Sequence, residues 1–272
     1  MRSILVALVA LALLPAAAEA QSACWTKRVA RADAVARSRA GDVGFAVIDD
    51  TGHLHGRRYS QPVRGVSTIK SLLLLTFLHQ RSVRRRALTG AEKDLLTRMI
   101  TVSDNGAAGT LIARLGRTTI EAEARHIGMR SFHLVDGFWG LSPTSARDQA
   151  VLFRRLDANL PKRHRTFARH LFASIVSYQR WGVPQGAPRG WKVLFKGGWG
   201  YGTGLLDHQV VLLTRGCTRV SLAVLTMYDG SHQYGKDTLR GIFARLLRGF
   251  PTQKAVGWRG SWSKRDREPT SR

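Results

Sequence analysis

The order of patterns along the chain narrows the fold more than any other feature. Two β-like runs come early, 43–48 and 53–59, around the turn Asp49-Asp50-Thr51-Gly52. Three more come late, Val193–Phe195, Gln209–Thr214 and Val220–Tyr228, separated by Gly-rich turns. Their β-branched and apolar content is that of strands, and the spacing is that of a hairpin and a meander. Between the two groups the spacing is helical. Strands split by a run of helices exclude the alternating order of a parallel α/β sheet. They predict an α+β fold, with early and late strands meeting in one antiparallel sheet. Helices at 25–38 and 237–248 would flank that sheet, the second presenting Leu239, Ile242, Phe243, Leu246 and Leu247 on one face.

Inside the helical block, a helix is expected to start near Ser67 and to bury Leu72–Leu75 and Phe77. Thr89-Gly90-Ala91-Glu92 has capping-box spacing and predicts a helix over 90–100. Further helices are predicted at 105–115, 118–127, 144–158 and 163–177, with Thr118 and Glu121 forming a second capping box. With 272 residues, 44% of them hydrophobic, the chain can fill a substantial core.

The ends read differently. Arg2, the apolar stretch Ile4–Leu14 and the small-x-small site Ala18-Glu19-Ala20 form a secretory signal over 1–20. The chain is therefore expected to be secreted or periplasmic. Gln21 argues against lipid attachment at Cys24. The folded domain is placed at 21–250, and 251–272 reads as a basic, aperiodic, flexible tail. In an oxidising compartment the two cysteines, Cys24 and Cys217, are expected to pair, the alternative being two free thiols.

Lys and Arg number 43 against 18 Asp and Glu, a net charge of +25. Arg84-Arg85-Arg86 is the densest cluster, but no nucleic-acid motif accompanies it, and an exported chain has little use for one. No nucleic-acid partner is expected. The charge reads as a surface facing the anionic cell envelope, on a protein expected to act as a monomer. Nine scattered histidines with no H-E-x-x-H and no cysteine pair give no metal site, and no cofactor is expected.

Three short motifs carry the chemistry. Ser67-Thr68-Ile69-Lys70 is an S-x-x-K, and on a helix i and i+3 share a face. A serine hydroxyl needs a base, and a lysine whose pKa is lowered by burial can serve. The motif alone is weak, since Ser261-Trp262-Ser263-Lys264 matches it too. Ser103-Asp104-Asn105 falls between two predicted helices, where each residue is also a favoured cap. Lys196-Gly197-Gly198 ends the first late strand, with no side chains to block an anion docking along its edge.

S-x-x-K, S-D-N and K-T/S-G, in that order on helix, loop and strand, form the motif set of class A β-lactamases and penicillin-binding proteins. The chain resembles that superfamily over roughly residues 25–250. The resemblance implies an active-site-serine hydrolase acting on β-lactams or peptidoglycan-derived D-Ala-D-Ala-type amides. It makes Ser67 the acylated nucleophile, Lys70 a general base or proton relay, Ser103 a proton shuttle and Asn105 a contact for the substrate's acylamino chain. Lys196 would attract the substrate carboxylate, beside Gly198. Backbone N–H groups of Ser67 and Trp199 would form the oxyanion hole.

Two positions depart from the pattern. Gly197 stands where the third motif has a hydroxyl, and Thr203 or Tyr201 would replace it from the adjoining turn. The class A enzymes also carry a Glu between the second and third motifs that activates water. Here only Asp136 sits at a suitable place, either as that carboxylate or as an ordinary turn aspartate before glycine. Without a strong deacylating base, a D,D-peptidase or esterase with poor lactam turnover is the alternative, and a non-catalytic peptidoglycan-binding relative is another. Trp139, Trp181 and Trp199 lie in Gly-rich stretches and either line the cleft or pack as ordinary aromatics.

Overall fold

The computed structural model describes residues 24–200 and 205–250. The expected signal segment 1–20, the tail 251–272, and Tyr201 and Thr203 lie outside the described residues.

The sheet forms as the strand pattern predicts. Strands β1 (Asp42–Ile48) and β2 (Leu54–Arg57) make the early hairpin. Strands β5 (Lys192–Gly200), β6 (Leu206–Arg215) and β7 (Thr218–Met227) make the late meander. The order is β2-β1-β7-β6-β5, with antiparallel pairing throughout. Early and late strands join through β1 and β7, where Phe45 faces Val224. A two-stranded ribbon of β3 (Val63–Arg64) and β4 (Pro143–Thr144) stands apart.

Helices cover both faces of this sheet. Helix α1 (24–37) and α10 (His232–Leu247) lie on one side. The other side carries α2 (Lys70–His79), α3 (Gly90–Thr97), α4 (Asn105–Leu115), α5 (Arg117–Ile127), α6 (Ala146–Arg154), α7 (Leu156–Asn159) and α8 (Arg165–Ala173). A short α9 (Val183–Gly186) precedes β5. Two hydrophobic clusters result. Ala46, Val210, Leu212 and Ala223 pack with α2 and the helical block, while Phe45, Val47, Val211, Leu222 and Val224 pack with α1 and α10. Alternate residues of one strand thus feed opposite cores, which is why these strands read as continuous apolar runs.

Local chemistry explains several boundaries. The Thr89 box forms as predicted, with Glu92 N–H donating to Thr89 Oγ1 and Thr89 N–H to Glu92 Oε2. The second box does not. Gly116 takes the N-cap of α5, and Glu121 instead accepts the Leu134 N–H at 3.0 Å. Helix α10 begins at His232, five residues before the predicted start, because the Ser231 hydroxyl caps it by accepting the Tyr234 N–H.

The expected Cys24–Cys217 disulfide is absent, and both are free, exposed thiols. Arg28 Nε donates to Cys24 Sγ from the next turn of α1. Cys217 sits at the tip of the two-residue β6–β7 turn, where Gly216 takes φ +57°.

Candidate active site

Ser67 lies in a 3₁₀ turn, Val66–Ile69, that runs directly into α2. The turn is fixed from beneath, since Thr68 Oγ1 and the Thr68 N–H both donate to Gly65 O, and Gly65 N–H donates to Ser142 O. Val66 is held at φ +39°, a left-handed conformation that a β-branched residue rarely takes. Strain of this kind persists where surrounding packing over-determines the backbone. Here it sets up the half-buried Ser67 beside β5.

Lys70 follows one turn later and is buried. Its Nζ lies 3.0 Å from Ser67 Oγ, 3.1 Å from Ser103 Oγ, 2.5 Å from Ser103 O and 2.7 Å from Asn105 Oδ1. Two of these oxygens, the Ser103 carbonyl and the Asn105 amide oxygen, can only accept. A neutral amine keeps its two hydrogens on them, which turns its lone pair toward the two hydroxyls. Burial lowers the Lys70 pKa to about 7, the nearby Asp104 charge opposing only in part. The indole of Trp139 lies 5.1 Å from Nζ and covers it.

The second motif is delivered by a π-turn, Arg98–Val102, at the end of α3. Ser103 closes it in the left-handed region at φ +62°, and Asp104 then caps α4 by accepting the Ala107 N–H at 2.7 Å. π-Turns and non-glycine left-handed residues concentrate at functional sites. Gln179 Nε2 donates to Val102 O and Val176 N–H to Thr101 O, tying the turn to the loop after α8.

The third motif comes from the sheet. Lys196 is fully buried on β5, its Nζ 3.0 Å from Ser103 Oγ and 2.9 Å from Gly197 O. Burial pushes its pKa well below that of a free lysine, and the neighbouring Lys70 charge adds to the shift. The Ser103 hydroxyl therefore bridges two lysines. Gly198 is required by close approach. A Cβ there would meet Val66 Cγ2 at 2.7 Å and the Ser67 backbone nitrogen at 3.0 Å. The absent side chain lets the β5 edge press against the Ser67 N–H, with Trp199 next along the strand.

Ser67, Lys70, Ser103, Asn105, Lys196 and Gly198 thus converge. Asp136 does not join them. Its carboxylate is 74% exposed and paired with Arg117 at the start of α5, so the loop directs it outward. The other acids between the second and third motifs are also committed. Glu123 pairs with His79, Asp157 with Arg169 and Arg219, and Asp148 accepts from the Arg130 and Ser131 N–H groups. No carboxylate among the described residues hydrogen-bonds Ser67 or Lys70.

One cluster near β5 escaped the sequence reading. Asp207, across from Trp199 in the β5–β6 register, is buried, with Oδ1 2.6 Å from His232 Nδ1. Asp229 lies beside it, accepting from Thr226 Oγ1 at 2.5 Å. Burial raises Asp207 to about 8, helped by the Asp229 charge, and burial raises Asp229 to about 6. Among the described residues no group of three or more His, Cys, Asp or Glu is arranged to hold a metal.

Comparison with known proteins agrees with this architecture. The profile of the beta-lactamase enzyme family matches residues 85–249, more than half of the chain. No curated protein sequence matches. Among solved structures, a class A beta-lactamase from Mycobacterium abscessus superimposes with a TM-score of 0.70 at 20% identity, covering 82% of this chain and 99% of its own. A beta-lactamase from Sphaerobacter thermophilus gives 0.70 at 18% identity, covering 83% and 97%. An ancestral class A beta-lactamase gives 0.70 at 20%, covering 82% and 100%. At these identities the likeness speaks for the fold, while the profile match speaks for descent. The chain belongs to the beta-lactamase enzyme family.

Proposed function

We propose that the protein is an exported active-site-serine hydrolase, acylated at Ser67 by β-lactams or D-Ala-D-Ala-type amides and released by water. One observation carries the reading: a buried amine of pKa about 7 lies 3.0 Å from the Ser67 hydroxyl, with its hydrogens committed elsewhere. Near neutral pH half of Lys70 is unprotonated and accepts the Ser67 proton as Oγ attacks the carbonyl carbon. The tetrahedral oxyanion is held by the N–H groups of Ser67 and Trp199. As the C–N bond breaks, the departing nitrogen takes the Ser103 proton, and Ser103 is refilled from the Lys70 ammonium. A water then attacks the ester, giving its proton back through Lys70 and freeing Ser67 and the product acid.

The second half of the cycle is the weak half. Trp139 stands over Lys70, and Asp136, the carboxylate expected from the sequence, points to solvent. Lys70 has to serve as base for both steps. A peptide's leaving amine diffuses away, whereas that of a lactam stays tethered and obstructs water. This favours a D,D-peptidase or esterase with slow lactam release over a fast lactamase. Mixing the protein with a fluorescent penicillin tests the reading. A stable adduct on Ser67, located by mass spectrometry and absent in Ser67→Ala, is the expected result. Adduct that vanishes within seconds would instead mean efficient lactam turnover, and failure to label would leave a non-catalytic peptidoglycan binder.

A further inference from the structure

Trp181, in the loop between α8 and α9, is only 4% exposed, and its ring meets Trp199 and His232 edge-on, with centroids 5.1 and 5.2 Å away. Gln209 fixes its backbone, donating to Trp181 O and accepting the Val183 N–H at 2.9 Å. Gln209 is also the residue opposite Gly197 in the β5–β6 register. The loop is therefore pinned at the level of the one motif position that lacks its hydroxyl.

The indole rests against that position. A Cβ on Gly197 would lie 3.4 Å from Trp181 Cζ2 and 3.9 Å from Cε2, and Nε1 is bonded to Cε2. The Cζ2–Cε2 bond, next to Nε1, thus lies against the strand at Gly197, one residue beyond Lys196. That N–H is buried and has no hydrogen-bond partner in the protein. Orphaned buried donors are costly and rare, and one beside a catalytic centre points to a ligand that satisfies it. A serine or threonine at 197 would place its hydroxyl one bond beyond the Cβ, in the space the indole edge now takes.

We infer that the Trp181 indole N–H, together with the Lys196 side chain, holds the anionic group of the substrate in place of the hydroxyl that Gly197 lacks. The inference rests on the function proposed above. Both donors are out of solvent contact, so an anion that reaches them is bound in dry surroundings, where each hydrogen bond is stronger. Trp181 is then a specificity-determining residue, selecting substrates with a carboxylate beside the scissile amide.

Trp181→Phe keeps a ring and removes the donor. The test compares Ser67 acylation by benzylpenicillin with acylation by its methyl ester. In Trp181→Phe the acid-to-ester rate ratio should fall roughly ten- to a hundredfold, as for a lost hydrogen bond to a charged group. Adding Gly197→Ser to that variant should restore much of the ratio. An equal loss for both substrates would reduce Trp181 to a packing residue and overturn the inference.

A second readout needs no turnover. In ¹⁵N-labelled protein, the indole N–H resonance missing from Trp181→Phe and displaced in Gly197→Ser belongs to Trp181. Phenylacetylglycine, an unreactive amide bearing a carboxylate, should move it downfield. A resonance that stays still under that titration would place the N–H on the π face of Trp199 or His232, and the inference would fail. If neither lactam acylates the protein, the proposed function falls, and the titration still decides the role of Trp181.

Discussion

At the scale of single residues, the site is built from groups held away from their comfortable states. Lys70 loses its proton near pH 7 in the fold, against about 10.5 for an ordinary lysine. Acylation should therefore climb as pH rises through about 7 and level off, which labelling rates between pH 5.5 and 9 would check. Lys70→Ala should slow labelling by about a hundredfold or more. The same shift has a thermodynamic sign. Between pH 7 and 10.5 the unfolded chain holds the extra proton, so folding stability rises with pH across that window. Wild type should gain stability on Lys70→Ala as pH goes from 7 to 10, measured by urea unfolding. Asp207 runs the other way. Its pKa of about 8 means that the fold holds the extra proton from about pH 4 to 8, and stability drains as pH rises through that range. Asp207→Asn should flatten this decline between pH 5 and 8 in the same assay.

At the scale of elements, what was legible in the sequence was whatever local rules decide. The Ser67–Lys70 spacing works because a helical turn brings i and i+3 together whatever surrounds it. The Thr89 box holds because its partners are three residues apart, and Thr89→Ala should cost about 1 kcal/mol in thermal or urea unfolding. The Thr118–Glu121 box failed because Leu134, far along the chain, claimed the Glu121 carboxylate. Ser103's left-handed backbone and the π-turn before it leave no local mark, since packing against the 174–179 loop imposes them. Strand β6 was read only from Gln209, because Leu206-Asp207-His208 looks like turn. Those polar residues are buried by α10 and by the Arg64 carbonyl bonded to His208. Gly198 was marked for its lack of a side chain, and the geometry gives the reason. Gly198→Ala would drive Cβ into Val66 and the Ser67 backbone, so the folded variant should label with penicillin far more slowly than wild type.

At the scale of the whole molecule, charge and cores act separately. A net +25 repels itself, and salt screens that repulsion within about 10 Å at 0.1 M. The melting temperature should accordingly rise as sodium chloride goes from 10 to 150 mM, and a flat response would mean that the surface ion pairs already balance the field. The two hydrophobic clusters lie on opposite faces of one sheet, and the candidate site sits where the helical block meets the edge strand β5. Ser67, Lys70, Ser103 and Asn105 ride on the helical side, whereas Lys196 and the β5 edge belong to the sheet. On the proposed mechanism, an acyl group bonded to Ser67 and seated against β5 would span that junction like a clasp. Its lifetime would then set how long the two stay fastened, so the protein would record an encounter with substrate as mechanical rigidity lasting until water cuts one ester bond.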